Sequence, residues 1–401
     1  MKPKTVVLLG NYPPPYGGVP THVEYLSAYL ASRGWAVHVI TPKFRPTPVE
    51  RVGGVLVHSL RTTSRWTRVA LLLKHFPKLV RHAAFMVRER REFMRCLVFY
   101  AQLRDIAAST DIDAVAAYHI FPSGLVAAWL YEDLGVPFVT TVFGEIYEDP
   151  ERFRRSRRET ALVLGASRQR LSCSAHCAAS TKLLGFSQRV DPLYYGIDTS
   201  TFVPVRASDA SRHSLGLPVS VPIVTFVARH TRDMGLHVFI DAARALLKER
   251  RGVVFHIAGR RGELTNDALA FASEHPGAVH VSVDLPGPQL VATYQSSDVV
   301  VVPSINLRAC LGLAIIEAMA CAKPVVVAEV GGGPEVLGDS DVGLLVPPED
   351  ALATARAVRR LLDDPAMAAR LGENGREKAV REFDFMATNR SMESLLAGLG
   401  A

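Results

Sequence analysis

Cysteine is scarce: Cys96, Cys173, Cys177, Cys310 and Cys321 are the five thiols among 401 residues. An odd, scattered set excludes a disulfide framework and fits reduced thiols in a cytoplasmic protein. Cys173, His176 and Cys177 lie close together, but no second ligand pair follows at zinc-like spacing, so no metal is expected. Long apolar runs are missing as well. None reaches the roughly 18 to 20 residues that a spanning helix needs, which leaves a soluble or peripheral protein as the expectation. The run Thr5 to Leu9 is too short for a secretory leader and enters a proline-glycine loop, so it reads as a first buried strand.

Acid is short in one place. Between Arg61 and Arg95 stand Arg61, Arg65, Arg68, Lys74, Lys78, Arg81, Arg88, Arg90, Arg91 and Arg95, against Glu89 and Glu92 alone, in a chain of net charge +7. Trp66, Val69, Leu72, Leu73, Phe76, Leu79, Val80, Phe85 and Met86 interleave with them. At helical spacing this makes an apolar stripe edged by cations, suited to an anionic membrane surface or an acidic acceptor; a solvated helix covering the first domain is the plain alternative. A second basic run spans Arg152 to Arg158. No helix-turn-helix or finger pattern accompanies either run, so no nucleic-acid partner is expected.

Hydrophobic residues make up 48% of the chain, enough for two cores, and its length favours two domains. Strand and helix periods alternate from the start: strands at Thr5–Leu9, Ala36–Ile40, Ala114–Tyr118 and Phe138–Val142, with a helix from Thr21 to Arg33. A second alternation begins at Pro222–Val227 and runs through strands at Val253–Ala258, Val279–Val283, Val299–Pro303 and Pro324–Ala328. This predicts an α/β protein of two doubly wound, Rossmann-like domains, residues 1–200 and 201–380, with a linker near 196–206 and a last helix at 381–401. Ligands of such folds bind at the carboxyl ends of the strands, here in a cleft between facing domains.

Several residues are placed to use such a site. Gly312 opens an apolar helix, Leu313 to Ala320, on which Glu317 is the single acid and needs a partner, be it a ligand or an arginine. Amides at Leu311, Gly312 and Leu313, and those of the turn Gly331-Gly332-Gly333, can face an anion while a carboxylate accepts from sugar hydroxyls. That outlines a nucleotide-sugar site. In the first half, Gly17 and Gly18 follow Pro13, Pro14 and Pro15 and permit close approach of a phosphate or sugar. His22, on the helix that follows, packs or is solvated; Arg260 and Arg261 read as surface charges at a glycine turn.

The stretch from Gly312-Leu313-Ala314-Ile315-Ile316-Glu317-Ala318-Met319-Ala320 to Gly331-Gly332-Gly333-Pro334-Glu335-Val336 and Gly343-Leu344-Leu345-Val346 resembles the donor half of the retaining glycosyltransferases of family 4, which have the GT-B architecture. Gly17-Gly18-Val19-Pro20-Thr21-His22-Val23-Glu24-Tyr25-Leu26 is similar to the family's first loop and helix, so the resemblance covers nearly the whole chain. It implies transfer from a nucleotide sugar without metal or cofactor, by a front-face route in which the departing phosphate accepts the acceptor's proton. It also implies that the last helix crosses back to the first domain. The family's diphosphate cations are an Arg and a Lys; Arg229 stands at the first position and Met234 at the second, leaving Arg232 to compensate or to sit solvated beside Asp233. Glu317 matches the acid that binds the ribose. The acid eight positions earlier is replaced by Ala309, with Asn306 and Arg308 as the nearby polar candidates. The family's first-domain His is replaced by Phe143, with His119 and Glu145 as acceptor-side candidates or ordinary strand-end groups. The acceptor is expected to be lipid-linked or a glycan, met by a cytoplasmic protein that is free or peripheral on the membrane's inner face. The departures keep a second reading open: a catalytically weak or inactive GT-B protein that binds a nucleotide sugar as a partner or regulator. A sugar-nucleotide epimerase lacks supporting acids of its own.

Overall fold

A computed structural model describes residues 3–13, 17–42, 48–60, 64–205, 209–338 and 341–399. Pro14, Pro15, Arg61 and Arg206, invoked above, lie outside the described residues, as does the side chain of Arg65. The chain separates into two compact units: one runs to Tyr195 and resumes at Met386, the other spans Gly196 to Phe385.

The first unit is built on an eight-stranded sheet of β1 (Thr5–Leu9), β2 (Ala36–Thr41), β3 (Val49–Val52), β4 (Val55–Ser59), β5 (Ala114–Tyr118), β6 (Phe138–Val142), β7 (Gln169–Ser172) and β8 (Asp191–Pro192), in the order β3-β4-β2-β1-β5-β6-β7-β8. All neighbours are parallel except β3 and β4, a hairpin turned by Gly53 and Gly54 at positive φ. β1, β5 and β6 are buried throughout, as strands covered on both faces must be. The helix Phe385–Gly398 brings the end of the chain back to this unit, where Glu393 accepts from the Tyr29 hydroxyl at 3.0 Å and the Trp35 indole at 3.2 Å.

The basic segment is not one striped helix. It breaks into Arg65–Lys74, Phe76–Arg81, Ala83–Arg88 and Arg90–Ser109, and His75, His82 and Glu89 at the breaks have ψ of 31, 27 and 49°. The reason lies in what turns inward. Trp129 donates its indole N–H to His82 Nε2 at 3.0 Å, so the ring proton sits on Nδ1 and is donated to Glu159 at 3.0 Å, all three side chains being buried. Lys78 is buried too, paired with Glu132 at 3.1 Å and Asp133 at 2.9 Å. It therefore holds the fold instead of edging a surface stripe. Trp66, Leu73 and Val87 nonetheless remain 81, 71 and 74% exposed.

The second unit carries a fully parallel sheet of β9 (Ile223–Val227), β10 (Val254–Gly259), β11 (Val279–Val283), β12 (Val299–Val302), β13 (Val325–Ala328) and β14 (Gly343–Val346), in the order β11-β10-β9-β12-β13-β14. Runs such as Val299–Val302 are apolar at consecutive positions because helices cover both faces. The order reverses between β9 and β12, and in an open α/β sheet that reversal leaves a crevice beyond the carboxyl ends of those two strands. Residues entering this unit are pinned to those leaving it: Ile197 and Phe383–Phe385 exchange backbone bonds of 2.9 and 3.0 Å, and Thr199 bonds Asp384.

Candidate active site

The loops after β9 and β12 meet at that crevice and, with Glu263 from the loop after β10, line a cavity of about 490 Å³ with Arg229, Thr231, Arg232, Asp233, Ile305, Asn306 and Arg308. Asp233 joins the two loops. Its Oδ2 accepts from Arg308 at 2.7 Å and Asn306 at 3.2 Å and lies 3.8 Å from Arg229, while Oδ1 accepts from the Thr231 hydroxyl. Burial alone would raise its pKa, but these bonds and the two guanidinium charges hold it below the usual carboxylate range. Arg232 is exposed, with its amide bonded to Glu263 at 3.0 Å. Met234, in contrast, packs against the core of the unit, so no side chain from position 234 reaches the cavity. Arg260 and Arg261 lie exposed beyond β10.

Beyond the β12 loop the chain turns at Gly312, φ 74°, into the helix Leu313–Ala320. Gly312 carbonyl takes the Ile315 amide at 2.9 Å, and the amides ahead of it are the orphan donors of a helix start. Leu311 is buried beneath this turn. Glu317 lies one turn in. Its Oε2 accepts from the Tyr294 hydroxyl at 2.5 Å, its one side-chain partner among the described residues. Burial raises the Glu317 pKa, and the Tyr294 bond partly offsets this. Tyr294 is itself kept protonated, since burial and the Glu317 charge push its phenol well up.

The triple-glycine turn has a packing duty besides the one its composition predicts. The Gly332 amide is bonded to Ala309 carbonyl at 2.8 Å, and a Cβ on Gly332 would lie 1.6 Å from Cys310 oxygen. The turn thus lets two backbones touch, and the Gly332 amide serves the Ala309 loop instead of an external anion.

In the first unit the corresponding reversal falls between β1 and β5. Gly17 is extended and caps the helix Gly18–Ser32, and among the described residues an added Cβ would meet only Pro20 Cδ, 3.9 Å away. His22 packs: its ring stacks on Tyr195 at 3.6 Å and meets Tyr118 edge-on at 5.6 Å, and burial drives its pKa to about 3, so it is neutral. His119 adopts φ 77° after β5 and lies 3.4 Å from Glu145. Glu145 in turn accepts from the amides of Ile120 at 3.2 Å and Phe143 at 2.7 Å. Both its oxygens are therefore engaged in holding the strand-end loops, and His119 is the group left partly exposed. Phe143 is buried against His119 and Tyr195. Cys173 and Cys177 are buried and form no disulfide, and the His176 ring stacks on Tyr147 at 4.6 Å.

Residues 16–201 match the family described as Glycosyltransferase Family 4, and residues 207–378 the family Glycosyl transferases group 1. A D-inositol 3-phosphate glycosyltransferase of Paenarthrobacter aurescens is 30% identical over 87% of this chain and 85% of its own length. The chain belongs to the family 4 glycosyltransferases. The similarly named protein of Thermobifida fusca is 28% identical over 95% of this chain and 88% of its own. Against the relatives from Corynebacterium glutamicum and Corynebacterium aurimucosum, both 34% identical, the match spans about half their length, 51 and 49%. Sucrose-phosphate synthase from Thermosynechococcus elongatus superposes with a TM-score of 0.78 over 99% of both chains at 23% identity, which shows the GT-B fold. An Anabaena protein solved with UDP-glucose superposes at 0.74, with 17% identity, over 98% of this chain and 100% of its own.

For this family 4 glycosyltransferase, Arg229, Arg232, Asn306 and Arg308 converge on one cavity, and Gly312, Leu313 and Glu317 follow it along the same chain segment. His119 and Glu145, with Gly17 and Gly18, belong to the other unit. Asp233 and Tyr294 escaped the sequence reading. Each works through a partner 75 or 23 residues away, a pairing set by strand order that no local pattern records.

Proposed function

We propose that the chain is a retaining glycosyltransferase that moves a sugar from a nucleotide-sugar donor, without a metal ion. The observation that carries this is the cationic cavity at the β9/β12 reversal, with a helix start and a half-buried acid alongside. As the glycosidic bond stretches, charge develops on the departing diphosphate, and fixed guanidinium and amide donors stabilise that charge more than the ground state. Arg229 and Arg232 supply the charge, and the amides at Leu313 the helix-end donors. Glu317, aligned by Tyr294, takes the ribose hydroxyls. The departing phosphate accepts the acceptor's proton, so positioning matters more than a protein base. On the acceptor side His119 is the polar group with a free approach.

The test incubates the protein with UDP-, GDP- and dTDP-sugars and several polyol and lipid acceptors, and follows nucleotide binding, diphosphate release and the product anomer. Turnover in EDTA with the donor's anomeric configuration kept is the expected result. Binding without turnover on every acceptor would leave a sugar-nucleotide binding protein, and inversion would remove the front-face route.

The acceptor is proposed to be lipid-linked, met at the inner face of a membrane. No helix among the described residues is long and apolar enough to cross one. Exposed Trp66, Leu73, Phe76 and Val87 instead lie among Arg68, Arg88 and Arg90, which suits shallow docking on anionic lipid. In flotation with phosphatidylserine-containing vesicles, Trp66→Glu with Leu73→Glu should cut the bound fraction's affinity at least about tenfold, since each side chain is worth about 1.5 kcal/mol or more of apolar burial. Equal recovery with neutral and anionic vesicles would reduce the face to a covering layer.

A further inference from the structure

We propose that Arg308, aimed by Asp233, is a third cation that grips the donor's diphosphate beside Arg229 and Arg232; this rests on the nucleotide-sugar reading above. A diphosphate needs more than one fixed cation as its leaving charge grows, and position 234 cannot provide one, because Met234 is uncharged and packs, partly buried, against the core of the unit. Arg308 is the guanidinium best fixed to do so. Its loop is clamped on both sides: the Ile305 amide donates to Asp233 carbonyl at 3.1 Å, and Ala309 carbonyl takes the Gly332 amide at 2.8 Å.

Asp233 is a positioning residue by its own bonding. One oxygen is shared by Arg308, Asn306 and the nearby Arg229, and the other holds Thr231, so the carboxylate is engaged on both sides. The orientation of Asn306 follows, since only its NH₂ can face that carboxylate. Among the described residues lining the cavity, the three guanidiniums of Arg229, Arg232 and Arg308 outnumber the two carboxylates of Asp233 and Glu263, a balance that favours an anionic ligand. A guanidinium held at one edge by a carboxylate keeps other N–H donors in a fixed plane for phosphate oxygens.

Calorimetric titration with UDP, GDP and ADP, and with uridine, guanosine and adenosine, separates phosphate from nucleoside binding. Arg308→Ala should weaken the preferred nucleoside diphosphate about tenfold while its nucleoside binds as before, and Arg308→Lys should fall in between. Asp233→Asn should weaken the diphosphate several-fold with the nucleoside unchanged; a merely structural role would weaken both together. Tighter diphosphate binding by Asp233→Asn would show that the acid competes with phosphate, overturning the positioning claim. Unchanged diphosphate affinity in folded Arg308→Ala would overturn the assignment of Arg308. Failure of the parent protein to bind any of the three diphosphates would instead sink the nucleotide-sugar reading itself.

Discussion

Glu317→Gln is expected to raise the melting temperature by about 2–4 °C, corresponding to about 1 kcal/mol in a unit of this size, while weakening donor binding about tenfold. The two effects share one cause. Burial raises the carboxyl pKa above its usual 4.5, so at neutral pH the folded state carries a charge that the unfolded state carries more easily. The sign follows: the penalty is present above the raised pKa, shrinks as pH falls through it, and is gone below about pH 4, where both states are protonated. The gain in stability should therefore be clear at pH 7.5 and vanish near pH 4 by thermal melts. Glutamine keeps an acceptor for the Tyr294 hydroxyl but loses the charge that strengthens two ribose bonds. Glu317→Ala removes both bonds, at about 1.5 kcal/mol each, and should cost about a hundredfold in diphosphate-sugar affinity. Because the Tyr294 bond lowers the Glu317 pKa, Tyr294→Phe should shift the acid-side loss of donor binding to higher pH. If Glu317→Gln melted below the parent with donor affinity intact, the acid would be a structural strut and the ribose assignment would fall.

The elements that sequence makes legible are those whose burial repeats along the chain. Val325–Ala328 is apolar at successive positions, Phe138–Val142 is bounded by apolar residues and buried throughout, and the helix Leu313–Ala320 has glycine before it and an apolar body, so each stands where periodicity places it. The hairpin β3–β4 was hidden because Glu50 and Arg51 break the apolar pattern on an exposed edge strand, although Gly53-Gly54 between two valine-bearing runs is itself a hairpin signal. The break of the basic segment at His75, His82 and Glu89 depends on partners far along the chain, Trp129 and Glu159 for His82, which no window of residues contains. The site divides in the same way. Glu317 declares itself as the single acid of an apolar helix, and Arg229 follows the end of a strand. Asp233 becomes informative only once β9 and β12 are neighbours, because that adjacency brings Arg308 to it.

Gly332→Ala should lower stability by about 3 kcal/mol and the melting temperature by about 6–12 °C. Its φ of −83° suits alanine, so the backbone conformation is not the obstacle. The obstacle is space: the added Cβ would lie 1.6 Å from Cys310 oxygen and 2.7 Å from its carbonyl carbon, atoms that no rotamer change can move. Relief requires the turn to withdraw from the 309–311 loop, breaking the 2.8 Å bond from the Gly332 amide to Ala309. Arg308 and the start of the Glu317 helix flank that loop, so donor binding should drop with stability, even at temperatures where the variant remains folded. Gly252→Ala is the control for strain alone, having φ +76° and nothing within 4 Å of its added Cβ. It should cost about 1 kcal/mol and leave nucleotide affinity unchanged. A Gly332→Ala protein that melts with the parent and binds nucleoside diphosphate equally well would mean the two backbones are not in contact in solution, and that Arg308 is held by Asp233 alone.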